Sequence, residues 1–267
     1  MAAMPDVGAP EERPIKRPKS IEEGMKDPGR KEALMREFMA HVKQNTFEIV
    51  DRTEDMVLLR MLILQTEKLT AAGKIDKLKA RMCINGSDQN QKFAETDSFA
   101  PNITPESVRF MYAYAVYYGL RMAGNDVCAA FLNSWLQAYE VFYAYPPPGF
   151  WLLCLEAGIP FCPGQVLRIK KAIYGSVQGG RRWNAVFTTW MVQEQKFIQF
   201  QHDPCLFRRE RLIVGVHTDN ILSTGPDKDL ESYLAALRQR FEVTGGEFPV
   251  QYCGKELRRD PGNGPST

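Results

Sequence analysis

The sequence predicts an α+β fold, and three observations carry that prediction. Helical and strand patterns follow one another irregularly, without the regular alternation of a parallel α/β sheet. The strand runs fall next to each other as hairpins, which makes most pairings antiparallel. No internal repeat runs through the 267 residues, so the chain is not a solenoid or propeller. That length is enough for one large domain or two modest ones with a sizeable core.

Composition narrows the functional classes. The chain is 44% hydrophobic and 25% charged, as in ordinary globular proteins. A net charge of +2 argues neither for nor against a polyanionic partner, so a nucleic-acid interface has to come from local clusters. The six cysteines form no CxxC pair and only three histidines are present, which leaves little for a structural zinc site. Free thiols suit a reducing intracellular setting, cytoplasmic or nuclear. Without an apolar run near 18 residues or a signal-peptide pattern, no membrane partner is expected.

Residues 1–30 are rich in Pro and charge and read as a disordered tail. Within them, Arg13 to Lys19 is a small basic cluster, either an import signal or a solvated tail. Leu34, Phe38 and Val42 recur at helical spacing, giving a helix that ends near Asn45, and Phe47 to Val50 follows as a strand. Met56–Thr66 and Ile75–Ile84 form a long hairpin with Gly73 in its turn. Alternation puts Lys77, Lys79 and Arg81 on one face, a stripe that either meets phosphates or protects a strand edge.

Thr104 as N-cap and Pro105 in the first turn start a helix that Gly119 ends, with Val108, Met111, Tyr112, Ala115 and Val116 on its core face. Leu120–Val127 is a strand leading to Asp126, and Tyr139–Tyr145 is another, stopped by prolines. Residues 151–165 read as a loop and Val166–Ile173 as extended chain. A second helix covers Arg182 to about Gln195, its tryptophans serving the core. A third follows Pro226, with Leu230, Tyr233, Leu234, Leu237 and Phe241 on one face, before short extended pieces and a tail over 261–267.

Between these last helices, Leu212 to Gly225 is two apolar runs around a polar break, a hairpin whose tip carries Asp219 and Asn220. By itself an Asp-Asn pair is ordinary turn chemistry. An acid elsewhere that could act with Asp219 would change its meaning, and Asp126 at a strand end is the candidate. Asp126 also suits a helix N-cap, and the two roles are compatible.

Several segments, taken in order, resemble the reverse transcriptase domain of Ty1/copia-type retrotransposons. They are Glu48 to Val50, Lys79-Ala80-Arg81, Phe99-Ala100-Pro101, Asp126-Val127 with Ala130 to Asn133, and Pro147 to Phe150. Lys171, Tyr174-Gly175, Gln178, Arg181 and Trp183 follow, then Asp203 to Phe207, Asp219, Ile221-Leu222 and Thr224-Gly225. The resemblance covers residues 31–260. It implies a right-hand polymerase fold with fingers at about 31–101 and 134–180, and a ferredoxin-like palm sheet at about 102–133 and 181–260. It also implies that the thumb, connection and RNase H portions are missing.

The implied chemistry is RNA-directed DNA synthesis, in which a primer 3′-hydroxyl attacks a deoxynucleoside triphosphate with two Mg²⁺ ions bound. The resemblance puts Asp126, Asp219 and Asn220 at the catalytic positions, with Asp126 and Asp219 as metal ligands. Lys79 and Arg81 match triphosphate contacts, and Gln178 and Arg181 match residues flanking nucleotide and template. Phe131 either crowds the nucleotide 2′ position or packs in the core. The implied partners are an RNA/DNA template-primer, held mainly by its backbone, and other parts of a Gag-Pol polyprotein, which would place the chain in cytoplasmic virus-like particles or the nucleus.

The chain departs from the family pattern at the site. Asn220 stands for the second hairpin acid, His217 for a tyrosine and Thr218 for an apolar residue. Gly179-Gly180 stand for Ala-Pro, and Cys128 and Ala129 for a basic residue and a threonine. An amide brings no charge to a divalent ion, so impaired catalysis is expected. A non-catalytic nucleic-acid-binding or scaffold protein that keeps the fold is the alternative.

Overall fold

In the computed structural model, which describes residues 20–69, 75–89, 99–249, 251–252 and 255–256, residues 21–24 and 28–30 are helical where the sequence suggests a tail. Ser20 caps a short helix, α1 (Ile21–Gly24), by accepting from the Glu23 amide, and Ile21 is fully buried. Asp27 then caps α2 (Pro28–Lys43), whose Ala33, Leu34, Phe38 and His41 are buried. The tail expected through residue 30 is thus corrected over 20–30: two caps and one buried isoleucine outweigh a polar composition. The basic cluster at 13–19, the Gly73 turn and the tail at 261–267 lie outside the described residues.

A five-stranded sheet comes next. Its strands are β1 (Phe47–Val50), β2 (Leu58–Leu69), β3 (Ile75–Ile84), β5 (Phe142–Tyr145) and β6 (Val166–Ile169), in the order β1-β6-β5-β2-β3. Only the β2–β5 pairing is parallel. On one face it packs against α2 and α4 (Phe150–Ala157) through Phe38, Met82, Phe150, Leu153 and Leu167. The loop expected over 151–165 therefore begins with a helix. Phe150, Leu153 and Cys154 carry helical spacing, and Gly149 and Gly158 bound it with φ of 82° and 67°. Two other expected strands are shorter. Residues Ala138–Glu140 form a 3₁₀ turn, and β6 ends at Ile169.

The second sheet has six antiparallel strands. They are β4 (Arg121–Val127), β7 (Ile198–Gln199), β8 (Leu206–Arg209), β9 (Leu212–His217), β10 (Asn220–Gly225) and β11 (Val243–Glu247), in the order β11-β4-β10-β9-β8-β7. Helices α5 (Gly179–Thr189) and α6 (Asp227–Arg240) cover one face with Trp183, Phe187, Tyr233 and Leu237, which pack on Ala123, Val214 and Ile221. Helix α3 (Pro105–Tyr117) covers the other with Val108, Met111 and Ala115 against Met122, Ile213 and Leu222, while Val116, expected on that face, turns outward and is 69% exposed. Because both faces are buried, the hairpin strands are continuous apolar runs instead of alternating ones. Helix α5 starts at Gly179, three residues before the expected Arg182, and a π turn (Trp190–Glu194) extends it. A two-stranded piece, β12 (Gln251–Tyr252) and β13 (Lys255–Glu256), completes the described chain.

Asp203 anchors α3 from outside the helix. It is 4% exposed; its carboxylate accepts from the Thr104 amide and hydroxyl and from the Cys205 amide. Burial pushes its carboxyl up, but the hydrogen bonds from Ser107, Thr104 and Cys205 together hold it below the usual range. A depressed folded value stabilises above the unfolded one, near pH 4, and that stability is lost as pH falls through the folded value. Asp203→Ala should therefore lose about 2–3 kcal/mol at pH 7, because it strands buried donors. The deficit should shrink below pH 4 in urea melts; a deficit unchanged by pH would contradict this account.

Candidate active site

The two-residue tip of the β9–β10 hairpin, Thr218-Asp219, joins His217 to Asn220, which pair across it. Asn220 lies opposite Asp126 on β4, and the Val127 amide donates to the Asp219 carbonyl at 2.8 Å. The strand pairing thus brings the two acids that sequence reading linked to one end of the sheet.

Their charges interact. Asp126 keeps a solvent-exposed side, yet burial by its surroundings raises its carboxyl above the ordinary range, and the Asp219 charge raises it further. Lys79, Arg81 and Lys68 pull it back down. Those three cations belong to the β2–β3 hairpin, where Thr66 pairs with Lys79, Leu64 with Arg81 and Lys68 with Lys77. Directly paired residues share a face, so the expected stripe at 77, 79 and 81 gains Lys68. Sequence reading missed Lys68 because its place depends on the hairpin register.

Tyr174 joins the two sides. The Arg81 guanidinium lies 5.0 Å from its ring centroid, and Phe131 meets it edge-on at 4.8 Å. Burial, then the Asp219 charge, pushes the Tyr174 phenol up to about 12. Gly175 beside it has φ of 80°, and a Cβ there would overlap the Ile84 carbonyl where the loop crosses β3. Phe131 is half-buried and also lines a cleft of about 110 Å³ with Ala100, Gly180, Trp183 and Thr218. Both of its expected roles are compatible with that position.

The other two expected nucleotide contacts sit differently. Arg181 is exposed in the first turn of α5. Gln178 is fully buried; its Oε1 faces Gln89 Nε2 at 3.5 Å, and Gln89 Oε1 accepts from the Val177 amide. Gln178 therefore supports the loop before α5 in this conformation and presents no exposed surface to the cleft.

The donor set suits a hard divalent cation. Asp126 and Asp219 offer carboxylate oxygens whose mutual repulsion a cation relieves. Among the described residues, no group of three or more His, Cys, Asp or Glu side chains could hold a metal. Asn220 does not complete such a group: its Nδ2 donates to Asp219 Oδ1 at 3.1 Å and occupies an oxygen that a metal would use.

Since Asp126 has a raised folded value, its stability contribution is full below the unfolded value, near pH 4, and is lost as pH rises through the folded one. Asp126→Asn should therefore raise the thermal midpoint at pH 7 in metal-free buffer by about 1–2 °C, a modest shift because solvent screens the charges. A lower midpoint than the parent's would refute the repulsion.

No helix among the described residues is long and apolar enough to cross a membrane. The family profile described as reverse transcriptase (RNA-dependent DNA polymerase) matches residues 44–263. The chain is 30% identical over 250 residues to the retrovirus-related Pol polyprotein from transposon RE2 of Arabidopsis thaliana, covering 91% of this chain and 16% of that protein. It is 27% identical to the corresponding polyprotein from transposon RE1 of the same plant, with the same coverage of each chain. To that from transposon TNT 1-94 of Nicotiana tabacum it is 26% identical, over 91% of this chain and 18% of the relative. The chain thus spans less than a fifth of the length of these relatives.

Proposed function

From the chain's membership of the reverse transcriptase (RNA-dependent DNA polymerase) family, in its copia-type branch, we propose an RNA-directed DNA polymerase domain with a weakened metal site. The observation that carries this reading is the strand register that sets Asp126 beside the hairpin tip carrying Asp219, with Lys68, Lys79 and Arg81 near enough to act on the Asp126 charge. Carboxylates opposite cations are what a nucleoside triphosphate with its metal ions needs.

The division into fingers and palm fits the sheets. Every strand of the five-stranded sheet comes from 31–101 or 134–180, and every strand of the six-stranded sheet from 102–133 or 181–260. With β7 and β8 set aside, which come between α5 and β9, the succession β4-α5-β9-β10-α6-β11 with spatial order β11-β4-β10-β9 matches the ferredoxin-like pattern and supports the palm reading.

In this reading Asp126 and Asp219 hold Mg²⁺, which when bound stabilises the attacking and leaving oxygens of nucleotidyl transfer. Lys68, Lys79 and Arg81 take the triphosphate oxygens through charge-assisted hydrogen bonds. Phe131, held edge-on by Tyr174, walls the sugar. Arg181 at the start of α5 contacts the template-primer, and the remaining partners are other parts of a Gag-Pol polyprotein.

The hydrogen bond from Asn220 to Asp219 favours a second reading, a nucleic-acid-binding or scaffold domain that keeps the fold without synthesis. Primer extension on an RNA template with Mg²⁺, beside a salt-dependent hybrid-binding assay, separates the two. We expect binding that weakens with salt and weak, Mg²⁺-dependent extension by the chain alone; binding with no extension favours the second reading. Robust extension would overturn the weakened site, and the absence of both would overturn the polymerase reading.

A further inference from the structure

We infer that Trp183 and Asn102 are positioning residues that clamp the tip of the β9–β10 hairpin and thereby set where Asp219 stands. The inference rests on the metal-holding role proposed for Asp126 and Asp219. Thr218 is a β-branched residue with φ of 55°, in the left-handed region that such residues avoid. Backbone held there is strained and persists only where its surroundings over-determine it. Two contacts do so. The buried Trp183 indole donates Nε1–H to the Thr218 carbonyl at 2.6 Å, and the Thr218 hydroxyl donates to Asn102 Oδ1 at 3.0 Å.

Packing beside the tip is incomplete. Ala100, Pro101, Asn102, Phe131, Gly180, Trp183 and Thr218 are among the residues around a cleft of about 110 Å³. A tip backed partly by a void is held by directional bonds instead of by close packing. The segment after Asn102 adds one more link, as the Ile103 amide donates to the Val216 carbonyl of β9 at 3.1 Å. The Asn102 arm exists because position 218 carries a hydroxyl, where the family pattern has an apolar residue.

Three variants and one control test the clamp. Trp183→Phe keeps an aromatic ring and removes the donor, Thr218→Val keeps the β-branch and removes the hydroxyl, and Asn102→Ala changes an exposed side chain with little risk to folding. Trp190→Phe is the control, a buried ring in the same cluster that packs on Phe187, Tyr233 and Phe241. Hydrogen exchange of peptides spanning 215–222 is read without metal, and Mn²⁺ affinity is read by titration.

Each clamp variant should speed exchange at the tip and weaken Mn²⁺ binding by about three- to tenfold, the factor that one lost hydrogen bond supplies. Trp190→Phe should lower the thermal midpoint while leaving both tip readouts within about twofold. Tip exchange unchanged in Asn102→Ala and Trp183→Phe, or changed equally by Trp190→Phe, overturns the clamp. A parent chain that binds no Mn²⁺ overturns the metal reading alone, because the exchange arm still decides whether the clamp exists.

Discussion

Asn220→Asp should tighten Mg²⁺ or Mn²⁺ binding at least about tenfold. The replacement removes the amide that donates to Asp219 Oδ1 and adds a charge opposite Asp126. Unit charges about 4 Å apart interact by roughly 4 kcal/mol at an effective dielectric near 20, and exposure of this rim leaves a fraction of that. The same charge has a cost without metal, since a third carboxylate joins a pair that already repels. The variant should melt lower than the parent in chelator and higher in millimolar Mg²⁺, so that the two melting curves exchange order. Superimposable titrations for parent and variant would show that Asn220 is not what limits the site.

Glu140→Ala carries the largest expected effect on stability. Glu140 is 4% exposed, and its Oε1 accepts from Arg182 Nε at 3.0 Å and Nη2 at 2.6 Å. Its Oε2 accepts from the Gln137 amide at 2.8 Å, and the Tyr139 hydroxyl adds a contact to Arg182. The pair ties the 3₁₀ turn ahead of β5 to α5, and so joins the two sheets. Removing one member of a buried pair strands the other charge, which costs about 3–5 kcal/mol; the partly exposed Arg182 brings that to about 2–4. Urea melts give the value directly. A loss under about 0.5 kcal/mol would place this pair with solvated surface bridges.

Much of the fold was legible because its signals are local. Thr104 and Pro105 start a helix wherever they stand, and an acid in a tight turn between apolar runs marks a hairpin tip. The errors were of two kinds. At 20–30, polar composition hid α1 and the capped first turn of α2, whose later turns were expected, and at 150–157 the prolines downstream hid an eight-residue helix whose spacing was present. Helices α1 and α4 are short elements held by packing on a partner more than by propensity. The shortened strand at 142 has a different cause: Glu140 turns inward to reach Arg182, 42 residues on.

The amino-acid sequence by itself determined the order of the motifs, the hairpin with Asp219 at its tip, and the amide beside it on which the proposed weakness of the metal site rests. Those are properties of residue type and neighbour spacing. Tertiary structure alone decided that Asp126 stands opposite Asn220, that Lys68 joins Lys79 and Arg81, that Gln178 is buried, and that Trp183 reaches Thr218. Each depends on strand register or on a contact between distant segments. Register shifts by one residue reverse every side chain, so these facts are settled only when the sheets form.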